Sequence, residues 1–109
     1  MLPPKWRLSS PTVFKQVYQR GRRHRTAGLT WWVMSQPPAN HTRLGVVVSS
    51  RVAKRATERN LYKRRLWAIL GEFKEKIPNF GYYFVVVASQ DIGHYSYSEL
   101  KHSLSDIIK

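Results

Sequence analysis

The sequence predicts a small two-layer α+β sandwich built as one domain over residues 1–109, with elements in the order α-β-β-α-β-α. Three observations carry this. Tyr62, Leu66, Ile69, Leu70 and Phe73 recur at helical period; residues 82–88 are a nearly continuous apolar run of strand length; and Pro-, Asn- and Gly-containing turns separate the patterned segments. A hydrophobic fraction of 42% and an aromatic fraction of 13% suffice for a buried core.

The elements follow in order. Ser9-Ser-Pro-Thr-Val-Phe-Lys-Gln-Val-Tyr18 reads as a first helix, with a serine cap, Pro11 near the first helical position and an apolar stripe of Val13, Phe14, Val17 and Tyr18. Gly21 marks its stop. Leu29-Thr-Trp-Trp-Val-Met34 is rich in strand formers, and Leu44-Gly-Val-Val-Val48 is the next strand. The turn-rich stretch between them suggests a hairpin with a loop of about six residues. Residues 56–74 form the longest helix. At about 100° per residue, Arg59, Asn60, Lys63, Arg64 and Trp67 sweep one arc beside and behind its apolar stripe. Residues 82–88 read as a central strand, which with the strand at 44–48 and the long helix makes a β-α-β unit if the two strands are parallel. A right-handed crossover is the general expectation for such a unit. Ser96-Tyr-Ser-Glu99 has capping-box spacing and opens a final helix with Leu100, Leu104, Ile107 and Ile108 on one stripe.

Charge narrows the function. The 19 Lys and Arg against 6 Asp and Glu give a net +13. Residues 1–65 carry 15 bases and one acid, a net +14; residues 66–109 carry 4 bases and 5 acids, a net −1. One basic face is the footprint of a polyanion binder. Solubility alone does not require the clustering into 20–25 and 51–65, and a membrane surface calls for a helix with a large exposed apolar face, which here is used for a core. The absence of Cys excludes a disulfide scaffold and thiolate metal sites. No run approaches a membrane span and the first residues lack a signal-peptide core, so a soluble, cytoplasmic protein is expected.

Catalytic chemistry is sparse. His24, His41, His94 and His102 are isolated and read as surface or packing residues. There is no Gly-rich phosphate loop and no close carboxylate pair. Asp91, after a strand, is either a lone cation ligand or a structural carboxylate. Lys54, Arg55, Arg59, Lys63, Arg64 and Arg65 can neutralise phosphates, and Asn60 adds a donor and an acceptor. Trp67 is a stacking surface or a partial cover for the core. Trp31 and Trp32 must face opposite sides of a strand, so one of them lines a groove or is exposed. Phe14 and Tyr18 suit either the core or a stacking site for an unpaired strand. Arg20, Arg22, Arg23 and Arg25 form an additional basic loop.

At Lys54-Arg-Ala-Thr-Glu-Arg-Asn-Leu-Tyr-Lys-Arg-Arg65 the sequence resembles the signature of the bacterial ribonuclease P protein subunit family, Arg-Asn-Arg, a variable residue, then Lys-Arg, on a long helix after a Gly-Val-Val-Val-Ser strand. Arg59-Asn60, Lys63-Arg64 and Gly45-Val-Val-Val-Ser49 match; Leu61 stands where the family has its second Arg. Arg7-Leu, Phe14-Lys-Gln-Val-Tyr18, Gly21-Arg-Arg and Tyr83-Phe-Val-Val-Val-Ala88 extend the match collinearly. The resemblance implies a fold like domain 2 of ribosomal protein S5, with a left-handed β-α-β crossover. It implies that an RNA subunit performs magnesium-dependent removal of the 5′ leader from precursor tRNA, the Mg2+ being held mainly by that RNA. The protein alone would be inactive, with no catalytic or metal-binding residue of its own. By position, Arg59, Asn60, Lys63 and Arg64, with Lys54, Arg55 and Arg65, go to the catalytic RNA; Phe14, Tyr18 and Trp32 go to a cleft for the single-stranded leader. The partners implied are the RNA subunit and precursor tRNA, with no membrane and no obligate protein. A plain RNA-binding module, such as a small ribosomal protein, would share the charge and the helix, and a stand-alone metal-dependent nuclease is the other competing class.

Overall fold

The computed structural model describes residues 3–26 and 28–108, with residues 106–108 described as backbone only. Helix α1 (Pro11–Arg20) leads into strands β1 (Arg22–Thr26), β2 (Leu29–Ser35) and β3 (Arg43–Val47); helix α2 (Ala56–Glu72), strand β4 (Tyr82–Ala88) and helix α3 (Tyr97–Ile108) follow. The α+β class stands, and the sheet has four strands in the order β1-β2-β4-β3. The extra strand is β1. Residues 22–25, expected as a basic loop, pair antiparallel with β2, and Arg20 closes α1 instead.

The expected hairpin between the second and third strands does not form. β4 lies between them, antiparallel to β2 and parallel to β3. The physical reason is in β4, where Val85, Val86 and Ala88 are buried and Tyr83, Phe84 and Val87 half-buried, so both of its faces need cover and it takes a central place. β3 can accept the edge because the N-terminal segment runs beside it: the Leu8 amide donates to the Leu44 carbonyl at 2.8 Å and Arg7 bridges to Leu44. Gln36 pins the chain that crosses β4, its Nε2 donating to the carbonyls of His41 and Tyr82 at 2.9 Å each.

Alternation along the strands produces two apolar clusters, one on each side of the sheet. On one side, Leu29, Trp31, Leu44, Val86 and Ala88 meet Leu66, Ile69 and Leu70 of α2 and Leu100 and Leu104 of α3. Trp6, at 1% exposure, joins them. On the other, Val85 packs with Leu8 and with Val17 of α1, bordered by Phe14, Trp32, Met34, Val47 and Tyr83. A helix layer therefore lies over part of the second face as well.

The expected caps turn out differently at each end. Ser10 occupies the cap of α1 without a side-chain hydrogen bond. Gly21 ends α1 in an extended conformation (φ −73°), not a left-handed one; a Cβ there would come within 2.6 Å of the Val17 carbonyl oxygen, so close approach requires the glycine. At α3 the capping box is complete, Glu99 N–H donating to Ser96 Oγ at 3.2 Å and Ser96 N–H to Glu99 Oε1 at 3.0 Å. Leu100 and Leu104 are buried as expected, while the side chains of Ile107 and Ile108 lie outside the described residues. Among the described residues no helix is long and apolar enough to cross a membrane.

Candidate nucleic-acid interface

Helix α2 buries Leu66, Ile69 and Leu70 against the sheet, which turns its first two turns and their bases outward. Lys54, Arg55, Asn60, Lys63 and Arg64 are exposed; Arg59 and Arg65 are half-buried. Leu61, in place of the family's Arg, is 37% exposed among them. Among the described residues the ion pair within 4.0 Å is Glu72 with Lys101, at 3.2 Å, and it lies at the other end of α2. Lys54 and Arg55 face solvent beside the positive N-terminal end of α2, and Lys63 and Arg64 face it further along the helix.

Asn60, Lys63 and Arg64 come together with Arg7, Thr57 and Trp67 around a hollow of about 520 Å³, while Lys54, Arg55, Arg59 and Arg65 lie outside it. Arg59 has a different local task. Its Nη1 donates to the carbonyls of Ala53 and Lys54, 2.8 Å each, tying the loop before α2 to the helix. The cap position, Arg55, makes no side-chain capping bond. Trp67 is half-buried against the core, and the Arg7 guanidinium carbon lies 5.1 Å from its ring centroid. Trp67 thus serves as a partial cover for the core, with Arg7 over its ring.

The other side of the sheet carries the aromatic group. Trp31 is buried with 0% exposure and its neighbour Trp32 faces the α1 side. Tyr18 meets Trp32 edge-on at 4.9 Å between centroids, and Phe14 lies 6.5 Å from Tyr18. The three share one surface. A hollow of about 390 Å³ opens along α1 between Ser9, Pro11, Phe14, Lys15, Tyr18 and Val47. Gly45 is buried beneath the Phe14 ring: a Cβ there would meet that ring at 2.6 Å. Burial holds the Tyr18 phenol above its ordinary pKa, so it is a neutral donor.

The basic strand adds to this face. Arg23 pairs across from Trp32, with its guanidinium carbon 5.9 Å from the indole centroid. Arg25 lines a hollow of about 460 Å³ together with Arg51, Thr30, Gln90 and Asp91. Arg20 and Arg22 line a separate hollow with Met34 and Tyr82. Asp91 is exposed and accepts from the Tyr95 hydroxyl at 3.4 Å, beside two arginines. Among the described residues no three His, Asp or Glu side chains gather as a metal site. His41 is a packing residue, edge-on to Trp6 at 4.5 Å, whereas His24, His94 and His102 are exposed. Sequence reasoning missed Arg7 and Arg51 as members of these hollows. Arg7 precedes the first helix with no periodic signal, and Arg51 sits in a turn that only the β3–β4 pairing brings to Arg25.

A sheet with a cationic helix on one side and an aromatic cleft edged by arginines on the other defines a small basic α+β domain. The chain belongs to the ribonuclease P protein family, whose model, described as Ribonuclease P, matches residues 2–109. The ribonuclease P protein component of Synechocystis sp. is 40% identical over 93 residues, covering 84% of this chain and 74% of that protein. That of Pseudanabaena sp. is 33% identical over 108 residues, covering 99% and 92%. Among solved structures, the Staphylococcus aureus RNase P protein superposes with TM-score 0.82 at 21% identity, covering 94% of this chain and 92% of that one. The Thermotoga maritima RNase P protein superposes with TM-score 0.80 at 22% identity, covering 94% of each. These two likenesses bear on the fold.

Proposed function

We propose that this protein is the subunit of a ribonucleoprotein ribonuclease P that holds the catalytic RNA on the α2 face and the single-stranded 5′ leader of precursor tRNA in the α1 cleft. The observation that carries the reading is the division of labour across the sheet: exposed cations with no ion pair among the described residues on one side, and Phe14, Tyr18 and Trp32 in contact on the other. Lys63 and Arg64 attract phosphates of any sequence. Aromatic faces accept any base, as a protein serving many different leaders requires. Hydrolysis falls to the RNA with its own Mg2+: the α2 face is cationic and repels a metal ion, and the side chains gathered here bind and orient. The protein neutralises phosphate repulsion between the two RNAs and keeps the leader extended beside the cleavage site.

The test mixes the protein with a bacterial ribonuclease P RNA at low magnesium and follows cleavage of precursor tRNA. Stimulation that saturates with protein is the expected result, and no cleavage by protein without RNA. Absence of stimulation at every protein concentration favours a plain RNA-binding module, and cleavage by extensively purified protein alone favours a nuclease.

A further inference from the structure

Arg7 lies outside both basic segments of the sequence, yet the fold holds it over α2. Its carbonyl accepts from Arg43 Nη1 at 3.2 Å, its amide donates to the Pro4 carbonyl at 3.0 Å, and its backbone bridges to Leu44. From there the side chain reaches Trp67, at 5.1 Å from the ring centroid. Thr57, Asn60, Arg64 and Trp67 succeed one another at spacings of three, four and three residues, which makes a row along one face of the helix. The row and Arg7 enclose the hollow of about 520 Å³.

Its chemistry is more specific than charge. A patch for phosphates alone needs no aromatic floor and no amide, and a cover for the core needs no arginine held against its outer side. Trp67 and the guanidinium together make a flat cationic platform of the kind on which an unpaired base stacks. Asn60, exposed at the rim, presents a donor and an acceptor to a base edge. Lys63 and Arg64 line the same hollow and can pair with the phosphates flanking such a base. We propose that this groove is a binding site for one unpaired nucleotide of the RNA subunit, with its base on the Arg7–Trp67 platform and its edge toward Asn60. The inference rests on the reading of α2 as the face for that RNA. The leader has its own aromatic surface across the sheet, so the groove is assigned to the RNA subunit.

Two measurements on the full chain test it. Adenosine 5′-monophosphate and ribose 5-phosphate are titrated while NMR follows the Trp67 indole N–H and the Asn60 amide. The nucleotide is expected to shift both signals saturably, while ribose 5-phosphate leaves the indole unmoved; equal responses to the two, or none to either, overturn the base site. In the second measurement Trp67→Leu, which keeps an apolar cover, is expected to weaken binding to ribonuclease P RNA about tenfold with the salt dependence unchanged. The affinity of precursor tRNA for the assembled holoenzyme should be unaltered. Wild-type affinity for the RNA, or a loss confined to precursor tRNA, overturns the assignment. If Trp67→Leu lowers the thermal midpoint, Arg7→Ala carries the same test, with weaker binding to ribonuclease P RNA, unaltered affinity of the holoenzyme for precursor tRNA and a smaller adenosine 5′-monophosphate shift at the Trp67 indole. Failure of the wild-type protein to bind the RNA sinks the α2 reading instead, and the nucleotide titration then stands separately.

Discussion

The α2 face and the α1 cleft share a sheet, yet they differ in what holds their side chains. On α2 and just before it the bases at 54, 55, 63 and 64 are exposed, and they act through a field that extends about a Debye length. In the cleft the rings of Tyr18 and Trp32 touch at 4.9 Å and Phe14 rests on Gly45, so placement is set by packing. Attraction on the first face is long-ranged, tolerant of sequence and weakened by salt. On the second, under the proposed function, it is short-ranged, would depend on an unpaired base being present and would be less sensitive to salt. Association with a large folded RNA calls for the first kind, and discrimination of an extended strand from a duplex calls for the second.

The largest expected effect separates the faces by salt. Lys63→Ala combined with Arg64→Ala should weaken binding to ribonuclease P RNA about tenfold per residue and reduce the log–log salt slope by about two units in filter binding. Arg59→Met should also weaken binding but leave the slope near wild type, because its guanidinium braces the carbonyls of Ala53 and Lys54. A slope reduced by about one in Arg59→Met would make Arg59 a phosphate contact. Next in size, Trp32→Ala should cost about 1–3 kcal/mol in holoenzyme affinity for precursor tRNA, with affinity for the RNA subunit unchanged. Equal losses in both would erase the distinction between the faces. The smallest effect concerns Glu72→Gln, which breaks the half-exposed pair with Lys101; thermal unfolding should register less than about 1 kcal/mol.

Much of this was legible beforehand where a pattern is local. The stripe of Leu66, Ile69, Leu70 and Phe73 is buried as its period requires, and the run at 82–88 is a strand with those bounds. Trp31 and Trp32 divide between core and cleft because alternation in a strand leaves no other arrangement. What escaped was non-local. Arg22-Arg-His-Arg-Thr26 has no apolar alternation, since it is an edge strand whose first four side chains are exposed, and only its pairing with β2 makes it a strand. The strand order also escaped, because adjacency in sequence favours a hairpin between β2 and β3, and the apolar demand of β4 on both faces outweighs it. At the site, Asn60, Lys63 and Arg64 follow from helical geometry, whereas the Arg7–Trp67 contact joins residues 60 positions apart and leaves no trace in either neighbourhood.

The central position of β4 also sets a timetable. β3 waits for a partner strand that lies after α2 in the chain, and β2, which can pair with β1 at once, lacks its second ladder until residue 88 has been made. Until then β3 and one edge of β2 present unpaired backbone, Trp31 and Trp32 have no completed sheet to divide across, and the positive segments are tethered to an open chain. Closure of such long-range pairings is slow relative to helix formation. The nascent chain therefore carries its charge before it carries its shape, and the cleft is created in the same event that completes the core.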